Sequence, residues 1–320
     1  MTDMQAIRFE RYGDPSILEI RTLPIPEPGP GEALVRVEAA AINPSDVKIV
    51  SGVFNAALPR TPGRDFAGVV VKGAGWEGRN VWGSGAGFGF ARDGAHAEYV
   101  LMPIAGLAER PAGLTPEQAS AVGAPHVAAW SALIDAGRLK AGDVVLITGA
   151  LGAVGRAATQ IARWKGARVI GADRIGGQSD ADVLLDLSAV DLVVGVKVAT
   201  GGTGVDLALD AVGGPLFEPV LRSLRIGGRQ VAITSTVTPR VEFDLTDFYH
   251  NKLELVGVDT AKLGVAEIAA ILDALRPGFE SGALKPPAVR TWPLAAAVQA
   301  YRAVAAGDVS AKQILVPGAR

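Results

Sequence analysis

The sequence contains no cysteine. This absence excludes disulfides, thiolate nucleophiles and every zinc or iron–sulfur site that needs a cysteine ligand. Histidine is scarce as well, because only three occur, far apart and in no metal-ligand motif: His96, His126 and His250. We therefore expect no metal site in this protein.

Basic runs and long apolar runs are also missing. Lys plus Arg number 31 and Asp plus Glu 33, which gives a net charge of −2, so we expect no nucleic-acid partner. Charged residues, prolines or glycines interrupt every apolar stretch before it reaches membrane-spanning length. The first residues show neither the basic nor the apolar region of a secretory signal. We expect a cytoplasmic protein that does not bind membranes.

Glycine, in contrast, is abundant with 40 residues, and one stretch uses it in a motif. A β-rich run, a glycine turn, a small-residue helix and a second apolar run ending in a carboxylate follow one another at 144–148, 149–155, 156–165 and 168–173. This order is typical of the first unit of a dinucleotide-binding fold, in which the helix amino terminus faces a pyrophosphate. We predict nucleotide binding by Gly149, Ala150, Gly152, Ala153, Val154 and Gly155.

The pattern along the chain changes twice and predicts two domains. The pattern of the first part predicts short strands at 5–10, 18–21, 33–41, 66–72, 80–82 and 95–101. From about residue 124, apolar strands alternate with helices, which implies a parallel sheet covered on both faces. The last part is too short for a core of its own. Further helices are predicted over 127–136, 215–225, 265–275 and 294–306. We predict one domain of residues 1–123 and 262–320, and an inserted domain of residues 124–261.

Six motifs together resemble one known family. They are Ala41-Ile-Asn43-Pro44-Ser-Asp46, Pro62-Gly63-Arg64-Asp65-Phe-Ala-Gly68, Gly94-Ala-His-Ala-Glu98-Tyr99-Val100, the glycine turn, Asp210-Ala-Val-Gly213 and Lys312-Gln-Ile-Leu315. Their order along nearly the full length resembles the medium-chain dehydrogenase/reductase superfamily, in its zinc-free branch of quinone oxidoreductases and ζ-crystallin-like proteins.

The resemblance implies an α/β protein with a GroES-like β-rich catalytic domain and an inserted Rossmann domain with a doubly wound parallel sheet. It also implies NADPH-dependent reduction of quinones or other α,β-unsaturated carbonyls, and homodimers formed through the Rossmann domains. Without metal or flavin, the reaction is direct hydride transfer to an electron-poor carbon. The resemblance adds Lys312 to the cofactor-binding residues.

The candidate catalytic residues are Asn43, Asp46, Lys48, Arg64 and His126. Asn-Pro-Ser-Asp is also good turn chemistry on any fold, so the first two have a purely local alternative. Lys48 is either a donor to a substrate oxygen or phosphate, or a solvated side chain. Arg64 either contacts substrate or forms a local ion pair with Asp65. His126 is the one histidine to test as an acid, with a structural role as the alternative.

The choice of cofactor depends on Asp173 and Arg174. A carboxylate after the second strand accepts the ribose hydroxyls of NAD and repels a 2′-phosphate, whereas an arginine beside it holds that phosphate. The family resemblance favours NADP(H), and Asp173 keeps NAD(H) as the alternative. Further cofactor contacts are predicted at the ends of later strands, from Ala211, Val212, Gly213, Thr234 and Ser235.

One rival interpretation belongs to another class. Lys48 and Phe54 stand where many quinone reductases carry tyrosines, and Ala128 stands where relatives carry a threonine. These exchanges leave open a nucleotide-binding protein without physiological turnover, such as a crystallin-like structural protein or a redox sensor.

Overall fold

The computed structural model describes residues 3–73, 75–174, 177–235, 238–308 and 310–318. The chain divides into two compact units, one of residues 1–124 with 261–320 and the other of residues 125–260. We call them the β-rich unit and the Rossmann unit. The boundaries predicted above, 123/124 and 261/262, each differ from these by one residue.

Strands are the main element of the β-rich unit and the centre of the Rossmann unit. In chain order they are β1 (Asp3–Arg8), β2 (Glu19–Pro24), β3 (Glu32–Ala41), β4 (Asp65–Lys72), β5 (Asn80–Gly83), β6 (Tyr99–Pro103), β7 (Ala108–Glu109), β8 (Val144–Thr148), β9 (Arg168–Asp173), β10 (Val183–Asp186), β11 (Val205–Asp210), β12 (Leu224–Ala232), β13 (Glu254–Gly257), β14 (Val289–Pro293) and β15 (Lys312–Val316).

The α-helices lie mostly in the second half of the chain. They are α1 (Pro44–Val50), α2 (Pro116–Trp130), α3 (Ala153–Trp164), α4 (Leu192–Ala199), α5 (Phe217–Leu221), α6 (Leu245–His250), α7 (Val265–Glu280) and α8 (Ala297–Ala305). Within the described residues, no helix combines the length and the apolar character needed to cross a membrane.

The β-rich unit contains a seven-stranded sheet and a separate hairpin-like pair, β1 with β2. The long strand β3 is central to the large sheet, because it pairs with β15, β4 and β6. On β3, buried Val35 and Val37 alternate with exposed Arg36, which is the two-residue period of a strand with one buried face. A second core forms where α1 and α8 pack around Ile42 and Tyr301.

The Rossmann unit contains a six-stranded sheet in the order β10-β9-β8-β11-β12-β13, with every pairing parallel. All but one residue of each central strand, β8 and β11, is buried, which explains their nearly continuous apolar sequences. Chain order reverses between β8 and β11. In open parallel sheets, ligands bind at the carboxyl ends of the strands beside such a reversal.

Several predicted elements differ from those observed. The local alternative given above for Asn43 and Asp46 was a turn, whereas residues 44–50 form helix α1, because the same residue types begin helices and turns. The helix predicted over 215–225 ends at Leu221, and β12 begins at Leu224 although it contains Gly227 and Gly228. Strand β6 begins only at Tyr99.

Prolines account for the other differences in the helices. Helix α7 runs through Pro277 to Glu280, whereas the prediction ended it before the proline. The helix predicted separately over 127–136 is the continuation of α2, which contains Pro125 and passes into a π-helical turn, Ser131–Ala136. A proline removes one backbone donor, and packing of the surrounding turns has outweighed that loss.

Candidate functional site

Helix α1 places the first two candidate residues. Asn43 follows β3 directly and is the N-cap of α1, where its backbone N–H donates to Asp46 Oδ2 at 2.7 Å. Asp46 is completely buried and Asn43 is only 4% exposed. The helix start thus satisfies the Asn43 backbone and leaves its side chain available for other partners.

Asn43 is the centre of a polar cluster of four side chains, Asn43, Asp65, Ser84 and Lys312, which we call the Asn43 cluster. The Asn43 amide donates from Nδ2 to Asp65 Oδ2 at 2.8 Å. On its other side, the Lys312 ammonium donates to Asn43 Oδ1. Ser84 Oγ donates to Asp65 Oδ1 at 2.5 Å. The sequence analysis predicted Asn43 as a catalytic residue and Lys312 as a cofactor contact, and it predicted neither Asp65 nor Ser84 as a site residue.

The strand register explains why these residues meet. Neighbouring strands β15, β3, β4 and β5 pair so that Ile314 lies opposite Ala41, Ala41 opposite Asp65, and Phe66 opposite Gly83. Each member of the Asn43 cluster stands at, or one to two residues beyond, this end of its strand. The cluster is therefore built on adjacent strands and does not depend on a long loop.

A close approach of helix α2 completes the cluster. The backbone N–H of Ala124 donates to both oxygens of Asp65, at 3.1 and 3.0 Å. A Cβ atom on Gly123 would lie only 2.7 Å from Asp65 Oδ1. With glycine at 123, the helix backbone comes this close while the Asp65 carboxylate keeps its position.

Burial dominates the electrostatics of this region. Burial raises the pKa of Asp46, and the Arg64 guanidinium opposes that rise. Burial likewise raises the pKa of Asp65, against the opposing charge of Lys312. Burial lowers the pKa of Lys312, against the attraction of the Asp65 and Asp46 carboxylates. Removing one of these charges leaves its partner without compensation in a region poor in water.

Arg64 pairs with Asp46 and not with its neighbour Asp65. Its Nε lies 3.9 Å from Asp46 Oδ1, a distance that gives charge attraction but no hydrogen bond. Among the described residues, neither of these two buried atoms has a hydrogen-bond partner. The local ion pair offered above as the alternative for Arg64 is wrong, because the Asp65 carboxylate is used by the Asn43 cluster.

The two remaining catalytic candidates lie outside the cluster. Lys48 is in the last turn of α1 with its side chain exposed, as expected for a solvated lysine. His126 is buried within α2, on the stretch that belongs to the Rossmann unit. The two roles weighed for His126 stay predictions.

The predicted phosphate turn lies between β8 and α3. Gly149 has a left-handed backbone (φ +61°), and a Cβ on Gly155 would lie 2.2 Å from the Gly149 carbonyl oxygen. Gly152 is the N-cap of α3, and no side chain caps this end of the helix. Gly152 and Ala153 are exposed, so the free N–H groups of the first turn face outward. This end of the helix can accept a pyrophosphate.

A second set of hydrogen bonds, centred on Asp210, holds the loop after β11; we call it the Asp210 network. Asp210 Oδ1 accepts from Thr148 Oγ1 at 2.9 Å and from the backbone N–H groups of Val212 and Gly213 at 3.1 and 2.9 Å. Ala211 N–H donates to Thr148 Oγ1 at 3.0 Å. The Asp210 network fixes Ala211, Val212 and Gly213 at the carboxyl ends of the strands.

The ends of β11 and β12 are packed closely together. A Cβ on Gly213 would lie 2.5 Å from the Thr234 carbonyl oxygen. Ser235 Oγ donates to the Thr238 carbonyl oxygen at 2.6 Å. Both predicted residues, Thr234 and Ser235, therefore lie beside the Asp210 network. This is the side of the sheet with the carboxyl ends of the parallel strands, where ligands bind. Ala150, which was also predicted to bind the nucleotide, is completely buried.

Asp173 ends β9 and is tied to the glycine turn. Its Oδ2 accepts from Leu151 N–H at 3.0 Å, and its Oδ1 accepts from Arg174 N–H at 2.8 Å. Arg156 Nε donates to the Leu151 carbonyl oxygen at 2.8 Å. Arg174 and Arg156 are both exposed. Arg156 is therefore a second cation beside this turn, and the sequence prediction missed it.

A search of the described residues finds no group of three or more histidine, aspartate or glutamate side chains placed to hold a metal ion.

Two family models match the chain. The model described as "Alcohol dehydrogenase GroES-like domain" matches residues 29–112, and the model described as "Zinc-binding dehydrogenase" matches residues 153–276. The first therefore falls within the β-rich unit, and most of the second falls within the Rossmann unit.

Several curated relatives are similar over most of their length. A zinc-type alcohol dehydrogenase-like protein from Schizosaccharomyces pombe is 38% identical over 88% of this chain and 87% of its own. The quinone oxidoreductase from Homo sapiens is 30% identical over 98% of both chains. Among solved structures, a mycobacterial quinone oxidoreductase has a TM-score of 0.87 at 28% identity, covering 98% of this chain and 100% of that one. The crystal structure of AibC has a TM-score of 0.91 at 27% identity, covering 99% of this chain and 97% of that one.

Proposed function

Since the chain belongs to the medium-chain dehydrogenase/reductase superfamily, in its quinone oxidoreductase branch, we propose that it is an NADPH-dependent reductase that transfers hydride to quinones or α,β-unsaturated carbonyls without a metal. Membership makes the protein an oxidoreductase that binds a nicotinamide cofactor. The observation that carries the proposal is the exposed, uncapped start of α3 behind the glycine turn.

The described residues fit a dinucleotide. The first-turn N–H groups of α3 can bind the pyrophosphate, and their dipole favours its charge. The Asp210 network holds residues 211–213 at the strand ends, where the rest of the nucleotide would lie. The bound nicotinamide supplies the hydride. The protein's part is to orient the acceptor and to stabilise the oxygen on which negative charge develops.

The chain's donor set does not favour a catalytic zinc. Such sites usually have three ligands from cysteine, histidine or carboxylate side chains, and this chain has no cysteine. His96 is buried, with Nε2 beside the Ala41 carbonyl oxygen and Nδ1 beside the Tyr301 hydroxyl. The carboxylates of Asp46 and Asp65 are engaged in hydrogen bonds. A quinone or enone needs no metal, since hydrogen-bond donors can stabilise the charged oxygen.

The test of this function is NADPH oxidation, followed by absorbance, on addition of a simple quinone and separately of an enone. We expect turnover with at least one acceptor class, and the same rate after dialysis against a strong chelator. Loss of activity on chelation that zinc restores would contradict the metal-free mechanism. Tight NADPH binding without turnover on either acceptor class would contradict the enzymatic function.

For the cofactor we propose NADPH, on the strength of two exposed arginines. Arg174→Ala is expected to weaken NADPH binding by about tenfold, the loss of one charge-assisted contact of about 1.4 kcal/mol. NADH affinity should hardly change, because NADH has no 2′-phosphate. Fluorescence titration of both nucleotides measures this, with Arg138→Ala as the control. Equal effects on the NADPH and NADH dissociation constants, or no effect on either, would show that Arg174 does not bind the 2′-phosphate.

The proposed assembly is a cytoplasmic homodimer joined through the Rossmann units. Strand β13 ends the parallel sheet, and no further described strand pairs with it. Leu255 on this strand is exposed, as are Leu245 and Tyr249 of the neighbouring α6. An uncovered strand edge with apolar side chains favours pairing with a second copy. Sedimentation velocity would report whether the mass is twice that of one chain.

A further inference from the structure

A cavity of about 700 Å³ lies within the β-rich unit. Pockets that bind small molecules enclose about 300–1,000 Å³, so this one has room for a ligand. It is lined by residues from β1, β2 and β6, from the start of β3, and from segments 60–61 and 91–97. The described residues that line it include none of the candidate catalytic or cofactor-binding residues. The cavity is therefore a second place where a molecule can bind.

The pairing of β1 gives the cavity two different ends. Ala6 of β1 forms an antiparallel bridge with Ala97, which precedes β6. Met4 and Arg8 both line the cavity, and side chains four residues apart on a strand share a face and lie about 13 Å apart. Because the pairing is antiparallel, Met4 lies towards β6 and Arg8 towards the loop before it. The cavity therefore extends along β1 from Met4 to Arg8.

The end of the cavity at Arg8 is basic. Arg8 Nη1 donates to Asp93 Oδ1 at 2.8 Å and to Thr61 Oγ1 at 3.3 Å. Arg60 Nη1 lies 3.5 Å from the same carboxylate oxygen. One carboxylate thus faces two guanidinium groups, whose side chains are only 16% and 15% exposed. This end keeps an excess positive charge that is partly shielded from water, which strengthens its attraction for an anion.

Both arginines also keep N–H groups for a ligand. A guanidinium has five N–H donors. The hydrogen bonds of the described residues use only Nη1 of Arg8 and Nε of Arg60, the latter to the Ala57 carbonyl oxygen at 3.0 Å. These bonds hold the two side chains in place, and the remaining N–H groups suit the two oxygens of a carboxylate.

The end of the cavity at Met4 is apolar. Met4 lies opposite Leu23 in the β1–β2 pair, and Pro24 and Leu101 also line the cavity. All four side chains are partly or fully exposed. An apolar chain bound at this end would remove their surface from water, which favours binding.

The charge of the lining favours a ligand with a single negative charge. Three arginines, Arg8, Arg60 and Arg92, and two carboxylates, Asp93 and Glu32, line the cavity, which leaves one positive charge. Glu32 begins β3 and pairs with the last residue of β6, away from Arg8. A monoanion bound at the basic end would neutralise the lining.

We propose that this cavity binds a monocarboxylate with an unbranched apolar chain, the carboxylate on Arg8 and Arg60 and the chain on Met4 and Leu23. The site lies within one compact unit and does not depend on the function proposed above.

The test is isothermal titration of the full chain with octanoate. We expect a dissociation constant below about 1 mM, which is modest for a ligand of this size. Octan-1-ol keeps the apolar chain without the charge, and acetate keeps the charge without the chain. Each should bind at least about tenfold more weakly than octanoate. A larger dissociation constant for octanoate, or equal affinity for octan-1-ol, would overturn the proposal.

Variants at the two ends locate the ligand. Arg60→Gln removes a charge-assisted contact, and Leu23→Asp places a charge against the apolar chain, so each should weaken octanoate binding about tenfold or more. Arg8→Gln repeats the test at the basic end, and thermal unfolding checks that each variant is folded. The control is Arg79→Gln, at an exposed arginine that pairs with Glu109 outside the cavity, and it should bind octanoate like wild type.

The NADPH dissociation constant should stay within about twofold in all these variants, because the phosphate turn lies in the Rossmann unit. Folded Arg8→Gln and Arg60→Gln proteins that bind octanoate like wild type would show that it binds elsewhere, and would overturn the proposal. An equal loss of octanoate affinity in Arg79→Gln would overturn it too, because the effect would then follow the net charge and not the cavity. A protein that binds octanoate as expected but reduces neither quinones nor enones would refute only the proposed function.

Discussion

Gly155→Ala is expected to lose most of its affinity for the nucleotide. The new Cβ would lie 2.2 Å from the Gly149 carbonyl oxygen and 2.7 Å from Ala150 Cα. Both atoms are backbone, so no side-chain rotation can relieve the contact. The glycine turn must therefore move away from the start of α3, where the phosphate-binding N–H groups are.

We expect the Gly155→Ala dissociation constant for NADPH to rise at least about tenfold, equivalent to about 1.4 kcal/mol. The free energy of unfolding should fall by about 1–3 kcal/mol, as is usual for an overpacked site. Isothermal titration and thermal unfolding measure the two quantities. Gly113→Ala is the control, because nothing lies within 4 Å of its Cβ position. A Gly155→Ala protein with wild-type affinity would rule out this turn as the phosphate site.

Acid is expected to destabilise the β-rich unit through His96. This side chain is fully buried between β3 and α8, with Nε2 3.2 Å from the Ala41 carbonyl oxygen and Nδ1 2.8 Å from the Tyr301 hydroxyl. A neutral ring satisfies both contacts, with Nε2–H as donor and Nδ1 as acceptor. Burial lowers the pKa of His96 from 6.5 to about 4.

The pKa of His96 is lower in the folded protein than in the unfolded chain, so between pH 6.5 and about 4 the unfolded chain binds more protons. Its contribution to stability is present in full above pH 6.5 and is lost as the pH falls to about 4. The shift of about 2.5 units corresponds to roughly 3 kcal/mol as an upper estimate. The nearby carboxyls Asp46 and Asp65, whose pKa values burial raises, titrate in acid as well.

Denaturant unfolding at pH 7.5 and pH 4.5 can isolate the contribution of His96. His96→Gln should be less stable than wild type at pH 7.5, and it should lose less free energy of unfolding on going to pH 4.5. Subtracting the two proteins removes the contribution of the carboxyls, which both share. His250→Gln, at an exposed position, should keep the wild-type pH dependence. Parallel losses in wild type and His96→Gln would show that His96 does not carry this effect.

Local patterns were sufficient to predict the Rossmann unit. The glycine turn, the helix after it and Asp173 lie within 25 consecutive residues, from 149 to 173, and each follows from backbone geometry and helix ends. The parallel sheet follows from buried apolar runs that alternate with helices. These features depend on neighbours in the sequence, so the sequence alone carries them.

The Asn43 cluster could be predicted only in part, because its contacts are distant in sequence. Lys312 and Asn43 are separated by 269 positions, and Asp65 and Ala124 by 59. A buried aspartate and an exposed one look the same in a sequence, so Asp65 was interpreted only as an ion partner of Arg64. Helix α1 was missed for a related reason, since Asn-Pro-Ser-Asp suits both a turn and a helix start.

The same chain order has a consequence for synthesis. The Rossmann unit is continuous, whereas the β-rich unit is interrupted by it and is completed by α7, α8 and the paired strands β14 and β15. Domains generally fold as they leave the ribosome, the earlier ones first. The nucleotide-binding unit can therefore form while Asn43 still lacks Lys312. A partly made chain can therefore have a folded Rossmann unit before β15 brings Lys312 to the Asn43 cluster.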